Sequence, residues 1–193
     1  APIACYSLKE RTMTNPIKLG IAGLGTVGIG VVKIIQQKAE TLQARTGRKI
    51  ELVAVSAKTR QKERGVNLSM YDWESDPVSL ANRKDIDIFV ELIGGHSGPA
   101  KDSVLAAINS GKDIVTANKA LLAHHGQELA ENIEKNNKSL RFEAAVAGGI
   151  PVVKALTEGL AGNSLTRVVG VMNGTCNYIL TRMQSSGLSY DEI

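Results

Sequence analysis

Apolar positions along this chain recur with two alternating periods, one suited to strands and one to helices. Ile17–Ala22 (IKLGIA) is a short β-type run that ends at Gly23. From Val27 onward, Val31, Ile34 and Ile35 fall on one helical face, which predicts a helix reaching about Arg45 with Gly47 as its C-terminal stop. Ile50–Ser56 (IELVAVS) and residues 86–93 (IDIFVELI) predict two more strands, apolar enough to be buried on both faces. Residues 58–85 between them show little periodicity and predict mostly loop.

Residues 99–110 place Ala100, Val104, Ala107 and Ile108 at helical spacing, with Pro99 at the first helical position and Gly111 at the stop. A short strand at 114–116, a helix at 121–137 and a strand at 140–146 (LRFEAAV) follow. Strands separated by helices of this length must pair in parallel, because a parallel crossover needs a dozen residues or more. The pattern predicts an α/β fold, a Rossmann-type doubly wound parallel sheet over residues 15–146. After Gly148-Gly149 the grammar changes to helix (151–160), strand (165–172) and helix (175–185), so a second unit begins at 147 and runs to 193. Ser189 and Glu192 fit a capping box at the start of another helix. A helix of one turn does not sustain itself in water, which predicts that the chain belongs to a longer protein. Residues 1–14 read as leader residues or residues added in cloning.

Composition narrows the function. Of 193 residues, 43% are hydrophobic and 22% charged, enough for a real core. No stretch reaches the roughly 18 apolar residues of a membrane span, and the start lacks a secretory apolar region, which predicts a cytoplasmic protein with no membrane partner. The two cysteines, Cys5 and Cys176, have neither disulfide nor zinc spacing. Net charge is +4 and aromatic content 4%, against a nucleic-acid partner and in favour of a small-molecule ligand.

The sharpest chemical signal is Gly23-Leu24-Gly25-Thr26-Val27-Gly28, a G-x-G-x-x-G between a strand and a helix. The first glycine permits the tight turn, the second lets a pyrophosphate approach the backbone, and the third lets helix and strand pack closely. The amides of Gly25, Thr26 and Val27 then face the anion. A carboxylate normally ends the second strand and accepts the ribose hydroxyl of NAD. Here Ser56-Ala57-Lys58-Thr59-Arg60 offers bases instead, and Lys58 and Arg60 would suit the 2′-phosphate of NADP. NADP(H) is therefore preferred, NAD(H) is allowed, and a solvated basic loop is the alternative.

Lys119, after Thr116-Ala117-Asn118, sits past a strand end where open α/β sheets bind ligands, as a proton shuttle, a substrate clamp or an exposed helical residue. His96 borders the same region in a glycine-rich loop, while His124 and His125 read as surface residues. Glu143, in an apolar strand, needs a cation or donors. A hard cation held with backbone carbonyls is one solution, and a hydrogen-bond network capping the next helix is the one the residues favour. Cys176 reads as core or near-core.

GLGTVG at 23–28, VELIGG at 90–95, VTANKALLA at 115–123, EAAVAGGIPVV at 143–153 and GVMNGTCNYILTRM at 170–183 together resemble the homoserine dehydrogenase family, in order and in spacing. The resemblance implies an NAD(P)-dependent oxidoreductase interconverting L-aspartate 4-semialdehyde and L-homoserine, on the route to threonine, methionine and isoleucine. It implies that Lys119 is catalytic and contacts the cofactor, that Ile93, Gly94 and Thr116 lie at the nicotinamide, and that residues 173–178 form a hinge. It also implies a sodium ion held by Glu143 with the carbonyls of Val146, Gly148 and Ile150, which displaces the capping network. Residues 147–193 would begin an α+β substrate and dimerisation domain, and the full-length protein would be a homodimer or homotetramer. Two other readings are an NADP-sensing regulatory module and a dehydrogenase for another semialdehyde.

Overall fold

The computed structural model describes residues 15–170 and 174–193. The expected leader and the hinge residue Asn173 lie outside them. The chain divides between Ala145 and Val146 into two compact units.

The first unit is built on six parallel strands: β1 (Ile17–Ala22), β2 (Ile50–Ser56), β3 (Asp72–Glu74), β4 (Ile88–Glu91), β5 (Asp113–Thr116) and β6 (Leu140–Arg141), in the order β3-β2-β1-β4-β5-β6. Chain direction across the sheet reverses at the β1–β4 junction, the place where such sheets hold ligands beyond their carboxyl ends. Alternation along β4 explains the two-sided core. Phe89 packs with Leu80, Val104, Ile108, Ile114, Leu121 and Leu129 on one face, and Val90 packs with Ile21, Ile29, Val32 and Val55 on the other.

The helices are α1 (Thr26–Gln37), α2 (Ala39–Thr46), α3 (Pro77–Ala81), α4 (Pro99–Asn109) and α5 (Lys119–Lys135). The single helix expected to run to Arg45 is two, broken at Lys38, and Gly47 ends the second in a left-handed conformation. No glycine or proline marks the break. Residues 58–85 are not mostly loop, because they contain β3 and α3. Asp76 accepts from the amides of Val78 (3.2 Å) and Ser79 (3.0 Å) ahead of Pro77, a cap-and-proline signal legible in the sequence. The strand expected at 140–146 ends at Arg141, and residues Glu143–Ala145 form a 3₁₀ turn instead. Glu143 is thus half-buried on a turn and not a carboxylate inside a strand.

In the second unit the expected helix at 151–160 is one α turn, Val152–Lys154, continuing as a π-helical turn, Ala155–Gly159, with Leu160 N–H reaching Ala155 O at 3.0 Å. No strand forms over the described residues 165–170. The last long helix, α6, spans Gly174–Ser186 and buries none of its residues. Cys176 is accordingly exposed, not core, since burial needs a packing partner that the helical pattern alone does not supply. Ser189 and Glu192 form the expected capping box.

Candidate functional site

The glycine loop joins β1 to α1 at the carboxyl edge of the sheet. Gly23 holds φ +100°, and a side chain there would strike Leu92 O. A Cβ on Gly28 would collide with Gly23 O, so strand and helix approach as closely as a dinucleotide loop requires. At Gly25 the reason differs: a Cβ would meet no protein atom within 4 Å. Gly25 is the N-cap of α1, no side chain caps the helix, and Thr26 and Val27 are exposed. The first amides of α1 therefore face open space with the positive helix end behind them, which fits a pyrophosphate.

A groove of about 340 Å³ runs from this loop past the end of β2 on one side and Leu92 and Ile93 on the other. On the β2 side it is lined by Lys58, Thr59, Lys62 and Arg64. Arg64 is structural. Its guanidinium donates to Thr59 O (2.6 Å), Lys62 O (2.7 Å) and Leu24 O (3.3 Å), and lies 5.5 Å from the Trp73 ring centre. It fixes the basic loop against the glycine loop and leaves Lys58 and Lys62 as the exposed cations. Lys58 of the expected pair lines the groove together with Lys62, while Arg60 is exposed on the same loop outside that lining. Ser56 is the last residue of β2, and no carboxylate stands in the five residues after it.

The β4 side rests on a residue that the sequence reading missed. Glu91 is completely buried. Its Oε1 accepts from Ile93 N–H (2.8 Å), Gly94 N–H (3.1 Å) and Asn118 Nδ2 (3.3 Å), and its Oε2 accepts from the Thr116 hydroxyl at 2.6 Å. Asn118 donates to Gly95 O at 2.7 Å and, as N-cap of α5, accepts from Leu121 N–H at 3.0 Å. One carboxylate thus fixes the loop after β4 and the start of α5 together, with every buried polar side-chain atom of the described residues satisfied. Thr116 is 1% exposed and its hydroxyl is committed to Glu91 and the Asn118 amide, so it supports the groove from beneath. Lys119 follows the cap on the first turn of α5 and is exposed. The apolar run VELI concealed Glu91; its only sequence signal was a carboxylate three residues before a double glycine.

His96 stacks on His124 with ring centres 4.3 Å apart, and His125 reaches Glu128 at 3.3 Å; none of the three is among the residues that line the groove. Glu143 belongs to the first unit, whereas Val146, Gly148 and Ile150 belong to the second. Among the described residues, no group of three or more His, Cys, Asp or Glu side chains could hold a metal ion.

The family profile described as homoserine dehydrogenase, NAD binding domain, matches residues 23–143, and that described as homoserine dehydrogenase matches residues 151–193. The chain belongs to the homoserine dehydrogenase family. Homoserine dehydrogenase of Neisseria gonorrhoeae is 46% identical over 179 residues, which are 93% of this chain and 41% of the relative, and that of Pseudomonas aeruginosa is 42% identical over the same shares. Among solved structures, a homoserine dehydrogenase from Thiobacillus denitrificans superposes with a TM-score of 0.81 at 40% identity, covering 92% of this chain and 41% of the other. The chain therefore spans about two-fifths of the length of these family members. The match to an NAD-binding domain over residues 23–143, which include the glycine loop, indicates a nicotinamide-dinucleotide cofactor. It gives no support to the reading as a regulatory module. No helix among the described residues is long and apolar enough to cross a membrane.

Proposed function

We propose that this chain supplies the NADP(H)-binding portion, and the start of the substrate-binding portion, of a cytoplasmic enzyme that interconverts L-aspartate 4-semialdehyde and L-homoserine. That places it on the route to threonine, methionine and isoleucine, and the whole protein would be a homodimer or homotetramer. The observation that carries the cofactor choice is the end of β2, where Lys58 and Lys62 line the groove and no carboxylate competes for a ribose hydroxyl. A 2′-phosphate gains ion-paired contacts there, whereas the neutral ribose hydroxyl of NAD(H) gains only weaker ones.

The bound nicotinamide supplies the hydride. The chain's own part is alignment and charge. Gly25, Thr26 and Val27 hold the pyrophosphate on their amides. Glu91 sets Ile93 and Gly94 beneath the nicotinamide half. Lys119, placed by the Asn118 cap, donates a proton to the carbonyl oxygen of the aldehyde as negative charge develops there. A sodium ion suits backbone carbonyl oxygens such as those of Val146 and Gly148 in the turn around Gly148. Ile150 O already accepts from Val152 N–H at 2.7 Å and is the poorer ligand for a cation.

Titration of NADPH and NADH against the fluorescence of Trp73, the single tryptophan, tests this reading. Saturation at lower NADPH than NADH, with no aldehyde reduction by this chain alone, is expected. Equal affinities would remove the NADP preference, and no saturation at millimolar cofactor would overturn the reading.

A further inference from the structure

The opposite edge of the sheet, where the chain enters β4, β5 and β6, carries a second cavity of about 600 Å³. Three of those entering segments each contribute a lysine to its lining: Lys84, Lys112 and Lys138. Lys112 is only 4% exposed. Among the described residues, no carboxylate lies within ion-pair distance of any of the three. The two acids in the lining each accept hydrogen bonds from other groups through one oxygen. Asp87 accepts from Lys18 N–H at 2.8 Å, and Asp113 accepts from the Ser139 amide (2.8 Å) and hydroxyl (2.9 Å).

Burial holds the Lys112 ammonium below the ordinary lysine range, although Asp85 and Asp87 pull the other way, and the Lys138 charge adds to the lowering. Three ammonium groups from three segments suit a tetrahedral oxyanion, since lysines act as separate point charges, whereas a planar carboxylate is better matched by an arginine fork. Asn82, also in the lining, accepts the Ser110 hydroxyl on Oδ1 at 2.7 Å and so keeps its NH₂ for a ligand.

We propose that this pocket is a binding site for a small phosphate-bearing anion, held by Lys112 together with Lys84 and Lys138. It is separate from the glycine loop, because the two lie at opposite ends of the parallel strands.

Amide chemical shifts of the isotope-labelled chain, followed during titration with inorganic pyrophosphate, test it residue by residue. The expected result is saturable shifts at Gly111, Lys112 and Lys138, distinct from any at Gly25 and Thr26. Lys112→Met should weaken this binding about tenfold and Lys138→Gln by less, as expected for loss of single charge-assisted contacts. Both variants should leave the NADPH titration unchanged. ADP in place of pyrophosphate distinguishes sources: tighter binding identifies a nucleotide phosphate, and equal or weaker binding a free one. The proposal is overturned if these amides stay still, if chloride at matched ionic strength moves them equally, or if Lys112→Met leaves the response intact.

Discussion

At the end of β2 the dinucleotide groove is lined by Lys58 and Lys62, exposed ammonium groups on flexible stems. At the ends of β4 and β5 it rests on Glu91, fully buried and accepting four hydrogen bonds. In the proposed reading the two flanks face different halves of one ligand, and they use different physics. Screened surface charges select between cofactors with modest energy and little structural cost. A buried carboxylate gives geometry, because each of its partners would be left unsatisfied if it were removed. Specificity and alignment are thus separable here, and mutations should separate them.

The largest effect is expected where the flanks meet. Gly28→Val drives a side chain into Gly23 O and should abolish cofactor binding while destabilising the first unit by about 3 kcal/mol, the upper range for overpacking. Thermal unfolding and NADPH titration read the two losses, and retained binding would show that the close approach is dispensable. Next comes Glu91→Gln, which keeps the shape but puts an NH₂ among donors. It should weaken NADPH about tenfold while leaving 2′-phospho-ADP-ribose, which lacks the nicotinamide, within about twofold. Equal weakening of both ligands would mean that Glu91 supports the whole fold and not one flank.

On the other flank, Lys58→Ala or Lys62→Ala should weaken NADPH severalfold and leave NADH unchanged, with Arg60→Ala as the silent control. A larger effect from Arg60 would return it to the site. The smallest effect concerns the edge strand. Arg83 pairs with Asp72, Glu74 and Asp85 at 2.6 to 2.9 Å and ties β3 to the turn before β4. The hydrogen bond to Arg83 holds Asp85 below the ordinary carboxylate range. A lowered pKa in the folded state contributes stability that is present above the unfolded value and lost as pH falls through the folded one. Because Asp85 is well exposed, Arg83→Ala should remove no more than about 1 kcal/mol near neutral pH, with the difference from wild type vanishing in strong acid. A difference that persists in strong acid would show packing, not charge, at work.

What was legible in the sequence follows the same division. Strands β1 and β2 and the glycine loop were readable because their signals are local: a short apolar run, then glycines whose spacing is dictated by backbone approach. The exposed bases after Ser56 were readable for the same reason, though which of them face the groove was not. Arg64 folds this loop by bonding to Thr59 O and Lys62 O and to Leu24 O of the glycine loop, a set of contacts that no local pattern announces. Glu91 was illegible because its role depends on Thr116 and Asn118, 25 and 27 residues away. Glu143 was misplaced in a strand because β6 pairs with β5 only through Leu140 and Arg141, and an apolar pattern does not reveal where pairing stops. Cys176 was misjudged because α6 buries none of its residues.

The central claim, one groove with two independently built flanks, is tested most directly by mapping amide shifts of the chain with NADPH and with 2′-phospho-ADP-ribose in parallel. The account predicts that Gly25, Thr26 and the Lys58 to Lys62 loop respond to both ligands, while Ile93, Gly94 and Gly95 respond to NADPH alone. Identical maps for the two ligands, or NADPH shifts that bypass Gly94 and Gly95, would contradict it.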